Sequence, residues 1–268
     1  MHFVLPSGQK ITVGYRADSR DARDYLLKAP SGRRLPSRVD NRHVVRAILD
    51  QHSEGACTGF AVVTAAEMLF GECRGGPTKA PDLSERWAYH HARRLDPWEG
   101  ENYHGSTLRA ALDAWHRKGI CTDEDWPYHP YDKDESDPGF DLVGHERASG
   151  PSSGAAMSAA QFRLGAYYRL TSLEEIRAAL VDNKVALIGA HIHDGWRSPN
   201  NGVIAYPTRN YLGGHAFAVV GYDEAEAFFW VANSWGNTWG DKGFARLSYE
   251  DLRVNLMDAW APFVHCVP

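Results

Sequence analysis

Residues 57–72, CTGFAVVTAAEMLFGE, constrain the fold more than any other stretch of the chain. Their apolar side chains recur at helical spacing and few polar ones interrupt them, so the segment reads as a buried helix. Gly71, then Gly75-Gly76-Pro77, stop it. Leu83-Ser84-Glu85 opens a second helix (RWAYHHARRL) with Ser84 as N-cap. Ser106 or Thr107 caps a third (LRAALDAWHRKG), which Gly119 ends. After residue 160 the pattern changes. Ser172 and Glu175 stand in capping-box spacing at the start of one more helix. Apolar, β-branched runs then take over at 185–192, 216–222, 228–232 and 244–247. The first half is mainly helical and the second an antiparallel sheet or barrel, an α+β chain.

Two stretches lie outside this pattern. Residues 1–38 are polar and carry turn formers at Pro6-Ser7-Gly8, Pro30-Ser31-Gly32 and Pro36-Ser37, which suggests an extended arm packed on the surface of the main domain. Residues 132–160 are rich in charge, Pro, Gly and Ser, as expected of a long exposed loop or insertion. The division is an arm over 1–38 and a domain over 39–268, split into a helical part (39–131), an exposed insertion (132–165) and a β part (166–268). A length of 268 residues suits one large domain or two closely packed lobes. The net charge of -5 offers no basic field, which excludes nucleic acid as a natural partner. The N-terminus lacks the charged start and apolar run of a secretory signal, and no apolar stretch approaches the roughly 20 residues of a membrane helix. Four cysteines, Cys57, Cys73, Cys121 and Cys266, are too scattered for a disulfide framework. The expectation is a cytoplasmic, reduced protein, or one exported without a cleaved signal.

Cys57 sits where the buried helix begins, and the amides and dipole of a helix N-terminus favour a thiolate. A lone cysteine is more often just a small buried residue, so its surroundings decide. Gln51 lies six residues upstream. Its side-chain amide, paired with the Cys57 backbone N–H, would make a sensible oxyanion hole. A thiol nucleophile also needs an imidazole to take and return a proton. Of thirteen histidines, His215 stands apart: Gly213-Gly214 precede it and a strand follows. Eighteen residues on, Asn233 opens Asn233-Ser234-Trp235-Gly236 directly after another strand. Its amide would orient the imidazole, with Trp235 shielding the bond from water.

These residues, together with Val219-Val220-Gly221-Tyr222-Asp223 and the run from Asn233 through Asn237-Thr238-Trp239-Gly240-Asp241-Lys242-Gly243-Phe244, resemble papain-like cysteine peptidases. Gly14-Tyr15-Arg16-Ala17-Asp18, Val39-Asp40-Asn41-Arg42, Gly105-Ser106-Thr107-Leu108-Arg109 and Trp126-Pro127-Tyr128 are similar to segments of the bacterial branch. The resemblance implies a helical left lobe and a β-barrel-like right lobe, with Cys57, His215, Asn233 and Gln51 catalytic in the cleft between them. It further implies that Gly55, Gly105, Ser106, Gly214 and Trp235 border the substrate, with Ile188 and Ala216 as walls of the specificity pocket. No cofactor is expected, and the partners are a peptide or protein substrate and a proteinaceous inhibitor.

The chain departs from the family pattern in four places. Glu54 stands where a half-cystine is usual, and Thr58 replaces a shielding aromatic. Cys57 and His215 are 158 residues apart, somewhat beyond the roughly 130–150 such enzymes show. The 132–160 insertion accounts for the excess. Only the short arm precedes the matching region, so any restraint on activity must come from a short segment or a partner. The same residues leave two alternatives open, a catalytically silent binding module and an acyltransferase. His191 and His193, on one side of a strand, form a metal pair only if a third ligand exists. Cys73, Cys121 and Cys266 read as structural.

Overall fold

The computed structural model describes residues 1–28, 32–208 and 210–266, so the turn expected at Pro30-Ser31 lies outside the described residues. Two short strands, β1 (His2–Val4) and β2 (Lys10–Thr12), pair as an antiparallel hairpin near the N-terminus, and β3 (Arg38–Asp40) follows. The helical lobe then builds on α1 (Cys57–Cys73), α2 (Glu85–Arg93) and α3 (Leu108–Lys118). All but three of the seventeen residues of α1 are buried, because neighbours cover it on every side. Ser84 Oγ accepts the Trp87 N–H and Thr107 Oγ1 accepts the Ala110 N–H, so Thr107, not Ser106, caps α3. Gly119, at φ 78°, ends that helix in backbone that a side chain would strain.

The stretch expected as an exposed loop is folded. It forms α4 (Leu142–Ala148) and α5 (Ala155–Ala159), which bury Leu142, Glu146, Ala155 and Ala159. A polar composition concealed them because each helix needs only one or two anchors on a larger body.

The β lobe comprises β4 (Ala166–Leu170), α6 (Leu173–Asn183), β5 (Ala186–His193), β6 (Tyr211–Asp223), β7 (Phe228–Ala232), β8 (Phe244–Ser248), α7 (Tyr249–Asn255) and β9 (Leu256–Phe263). Among the described residues the strands form one sheet, ordered β4-β9-β5-β6-β7-β8 with β3 added to β6, and it does not close into a barrel. Ser172 caps α6 as expected, by accepting the Glu175 N–H. Strands β4 and β9 were not legible in the sequence, since neither carries a clean alternation. One apolar cluster joins α1, α2 and α3 to Ala216, Ala218 and Val220 on one face of β6, and another covers the opposite face around Phe217 and Val219.

Cys73, at the end of α1, is bonded to Cys266 beyond β9, which overturns the expectation of four unlinked cysteines. A separation of 193 residues hid the pair from spacing arguments. Cys57 and Cys121 are free and buried. Non-reducing peptide mapping is expected to recover a Cys73–Cys266 linked peptide with two unmodified thiols. Replacing both with serine is expected to cost roughly 2–5 kcal/mol in a denaturant titration, because the bridge closes a long loop.

Candidate active site

Loop 51–56 leads to Cys57 at the start of α1. It is a tight structure: Glu54 N–H donates to Gln51 O, Ala56 N–H to Glu54 O, and Gln51 N–H to Ser234 O. Glu54, which stands in place of a half-cystine, is fully buried and pairs through both carboxylate oxygens with Arg86 of α2 at 2.6 Å. The same carboxylate accepts from Tyr128 Oη and Tyr131 N–H, and Tyr128 Oη also reaches Gln51 O. An ion pair therefore braces the loop where the family pattern has a half-cystine. Only its alternative partner, Arg86, was invisible to sequence reasoning.

Gln51 is buried with its amide orientation set by a hydroxyl: Ser234 Oγ donates to Gln51 Oε1 at 2.7 Å. That leaves Nε2 to donate, to Glu54 O at 3.0 Å and Thr12 O at 3.4 Å. His215, fully buried on β6, places Nε2 2.8 Å from Asn233 Oδ1. An amide oxygen can only accept, so His215 Nε2 carries the proton. Nδ1 keeps its lone pair and has no partner among the described residues. Trp235 covers the imidazole at 4.7 Å between ring centroids, backed by Trp196 and Trp239. Cys57 packs in one buried cluster with Ala216, one residue past His215. Thr58 is buried next to Cys57 in α1.

The arm does not simply lie on the surface, as expected; it runs through this cleft. Phe3 packs on Trp235, Gln9 Nε2 donates to Asp50, and Lys10 pairs with Asp134. Thr12 O then meets the Gln51 amide, the Gly14 backbone passes close to Cys57, and Tyr15 N–H donates to Gly214 O at 3.2 Å. Gly14 and Gly105 touch backbone to backbone. A side chain on Gly14 would come within 2.9 Å of Gly105 Cα and His104 O. A sequence pattern of turn formers could not reveal this path, because the contacts are main-chain to main-chain.

Of the other groove residues, Gly55 donates to His104 Nδ1, and Gly214 and Ala216 border the arm. Ser106 is buried and donates to Asp96, so it faces away from the groove. Ile188 is a correction: it pairs with Phe217 and belongs to the cluster behind the sheet, whereas its neighbour Gly189 pairs with Ala216 on the cleft side. Strand alternation makes a one-residue shift a change of face. His191 bonds Tyr211 Oη, and His193 is held between Asp251 and Gly195 N–H, so the two imidazoles do not converge. No helix among the described residues is long and apolar enough to cross a membrane.

The papain family cysteine protease pattern matches residues 35–259, and the chain belongs to that family. Xylellain, a cysteine protease from Xylella fastidiosa, superposes with a TM-score of 0.80 at 26% identity, over 94% of this chain and 96% of that one. An uncharacterized peptidase C1-like protein of Acanthamoeba polyphaga mimivirus is 26% identical over 75% of this chain and 64% of its own length. A gut-specific cysteine proteinase of Caenorhabditis elegans is 27% identical over 80% and 67%. The chain thus spans about two thirds of these curated relatives.

Burial beneath the arm governs the charges. It pushes the Cys57 thiol up to about 11, against backbone N–H groups led by Ala216, and the His215 imidazole down to about 4, against the Asn233 bond. With the arm seated both groups are neutral near pH 7. The raised thiol value favours the closed form below about pH 9 and is lost as pH rises towards 11; the lowered imidazole value favours it above about 6.5 and is lost as pH falls towards 4. Iodoacetamide labelling of Cys57 is therefore expected to be slow at pH 7 and to accelerate on approach to pH 11. Gly14→Val, which forces the arm off Gly105, is expected to label readily at pH 7. Mass spectrometry of the Cys57 peptide measures both.

Proposed function

We propose that the protein is a cysteine peptidase that hydrolyses peptide or isopeptide bonds through Cys57, His215 and Asn233, with Gln51 in the oxyanion hole. The observation that carries this reading is that a peptide segment already occupies the cleft, its Thr12 carbonyl on the Gln51 amide and its Tyr15 N–H on the Gly214 carbonyl beside His215. An incoming substrate would present its carbonyl to the same amide. His215 Nδ1 takes the thiol proton, and Sγ attacks the carbonyl carbon. The charge on oxygen is met by Gln51 Nε2 and the Cys57 N–H. Collapse breaks the C–N bond as His215 returns its proton to the leaving amine. Water then attacks the thioester with His215 as base. Asn233 holds the tautomer that leaves Nδ1 basic. Glu54 and Arg86 keep Gln51 and Cys57 in register.

Substrate entry requires the arm to leave the cleft, so the arm acts as a built-in restraint. The Cys73–Cys266 bond supports the reading that the protein is exported to an oxidising compartment rather than kept in the cytoplasm. In an arm-opened variant, Cys57→Ala is expected to abolish peptide hydrolysis. Gln51→Ala is expected to lower kcat by about 10²–10³ with KM little changed. Steady-state kinetics on a fluorogenic peptide measure both, and full hydrolysis by the Cys57→Ala protein would refute the assignment.

A further inference from the structure

We propose that the pocket now filled by Tyr15 selects tyrosine in the substrate, with the Asp258 carboxylate as the group that reads its hydroxyl; this rests on the peptidase reading above. Strands β6, β5 and β9 run side by side, with Ala216 opposite Gly189 and Gly189 opposite Asp258. The three therefore share one face of the sheet. Ala216 lies in the same buried cluster as Cys57 and Tyr15, so this face adjoins the nucleophile. Gly189 creates the depression: a side chain there would overlap the Tyr15 ring. At the far end, buried Asp258 accepts the Tyr15 O–H on one oxygen and the Asp18 N–H on the other.

Burial pushes Asp258 up to about 6 and Tyr15 well above the usual phenol range, so near neutral pH the phenol donates to an ionised carboxylate. Tyr15 and Asp18 both belong to the arm. When it leaves, Asp258 loses both donors, and a buried unpartnered carboxylate is costly. A substrate tyrosine restores one of them. Phenylalanine fills the same space but offers the carboxylate no donor, the kind of mismatch a hydrogen-bonding site rejects strongly. A lysine or arginine is disfavoured for another reason. Arg169 of β4 stacks over Trp260 and pairs with Asp24 of the arm. Departure of the arm removes that carboxylate and leaves Arg169 as a free cation facing Asp258.

The test uses the full-length chain carrying Gly14→Val, with Tyr15→Ala as a second opening variant, on a peptide library in which every position is varied. Tyrosine is expected to exceed phenylalanine at one subsite by at least about tenfold. Asp258→Leu is expected to bring that ratio to about one and Asp258→Asn to an intermediate value. Equal cleavage of tyrosine and phenylalanine peptides, a preference for lysine or arginine at that subsite, or a ratio unchanged in both Asp258 variants would overturn the proposal. Iodoacetamide labelling of Cys57 in the same samples separates the two readings. Labelling and cleavage without tyrosine selection defeat the pocket alone; neither labelling nor cleavage defeats the peptidase reading and the pocket with it. Where Cys57 labels but nothing is cleaved, better protection by tyrosyl than by phenylalanyl peptides supports the pocket, and equal protection overturns it.

Discussion

The packing of α1 against β6 is the contact on which the rest of the molecule depends. A helix apolar on nearly all sides has no face to offer water, so α2 and α3 cover it on one flank and the sheet on the other. This apposition brings the first residue of the helix, Cys57, into one buried cluster with Ala216, and so beside the strand that carries His215. The two lobes meet where hydrophobic burial demands it, and Cys57 stands in that seam. Because Cys57 is fixed by a helix start and His215 by a strand, neither relies on a flexible loop for its place.

The loop that precedes Cys57 is the exception, and it is stabilised by charge. Glu54 and Arg86, both fully buried, are joined by Glu146, Arg93 and His90 in one network. Such a network tolerates little change, since removing one member leaves an uncompensated buried charge. A disulfide would brace the loop regardless of its surroundings. The ion pair works only because Tyr128 Oη and the Tyr131 N–H complete the coordination of the carboxylate. The loop's geometry is consequently tied to the 128–131 segment and through Glu146 to α4, part of the stretch whose composition had suggested an exposed loop.

The arm fills the cleft that holds Gln51, Cys57 and His215. Its hold combines an aromatic contact at Phe3, paired charges at Lys10 and a run of main-chain bonds from Thr12 to Tyr15. By covering Cys57 and His215 it excludes water from both, which keeps thiol and imidazole uncharged. Concealment and chemical silence thus have a single cause, desolvation.

Much of this was legible in the residues themselves. The helix at Cys57, the caps at Ser84 and Ser172, the strand before Asn233 and the long run that follows it follow from local periodicity and capping chemistry, which act over a few residues. The α+β order could be read in the same way, whereas Gln51, Cys57, His215 and Asn233 were singled out by motif and spacing, and the structure brings His215 and Asn233 within hydrogen-bonding distance. What remained hidden depends on residues distant in sequence. The Cys73–Cys266 bond, the Glu54–Arg86 pair, the partnership of Tyr15 with Asp258 and the exchange of Ile188 for Gly189 at the pocket wall are decided by strand register and by which surfaces meet. The sequence alone determined the chemical groups and the local elements that carry them. Tertiary structure decided which of those groups face one another, because burial and sheet register act between segments that the chain's order leaves far apart.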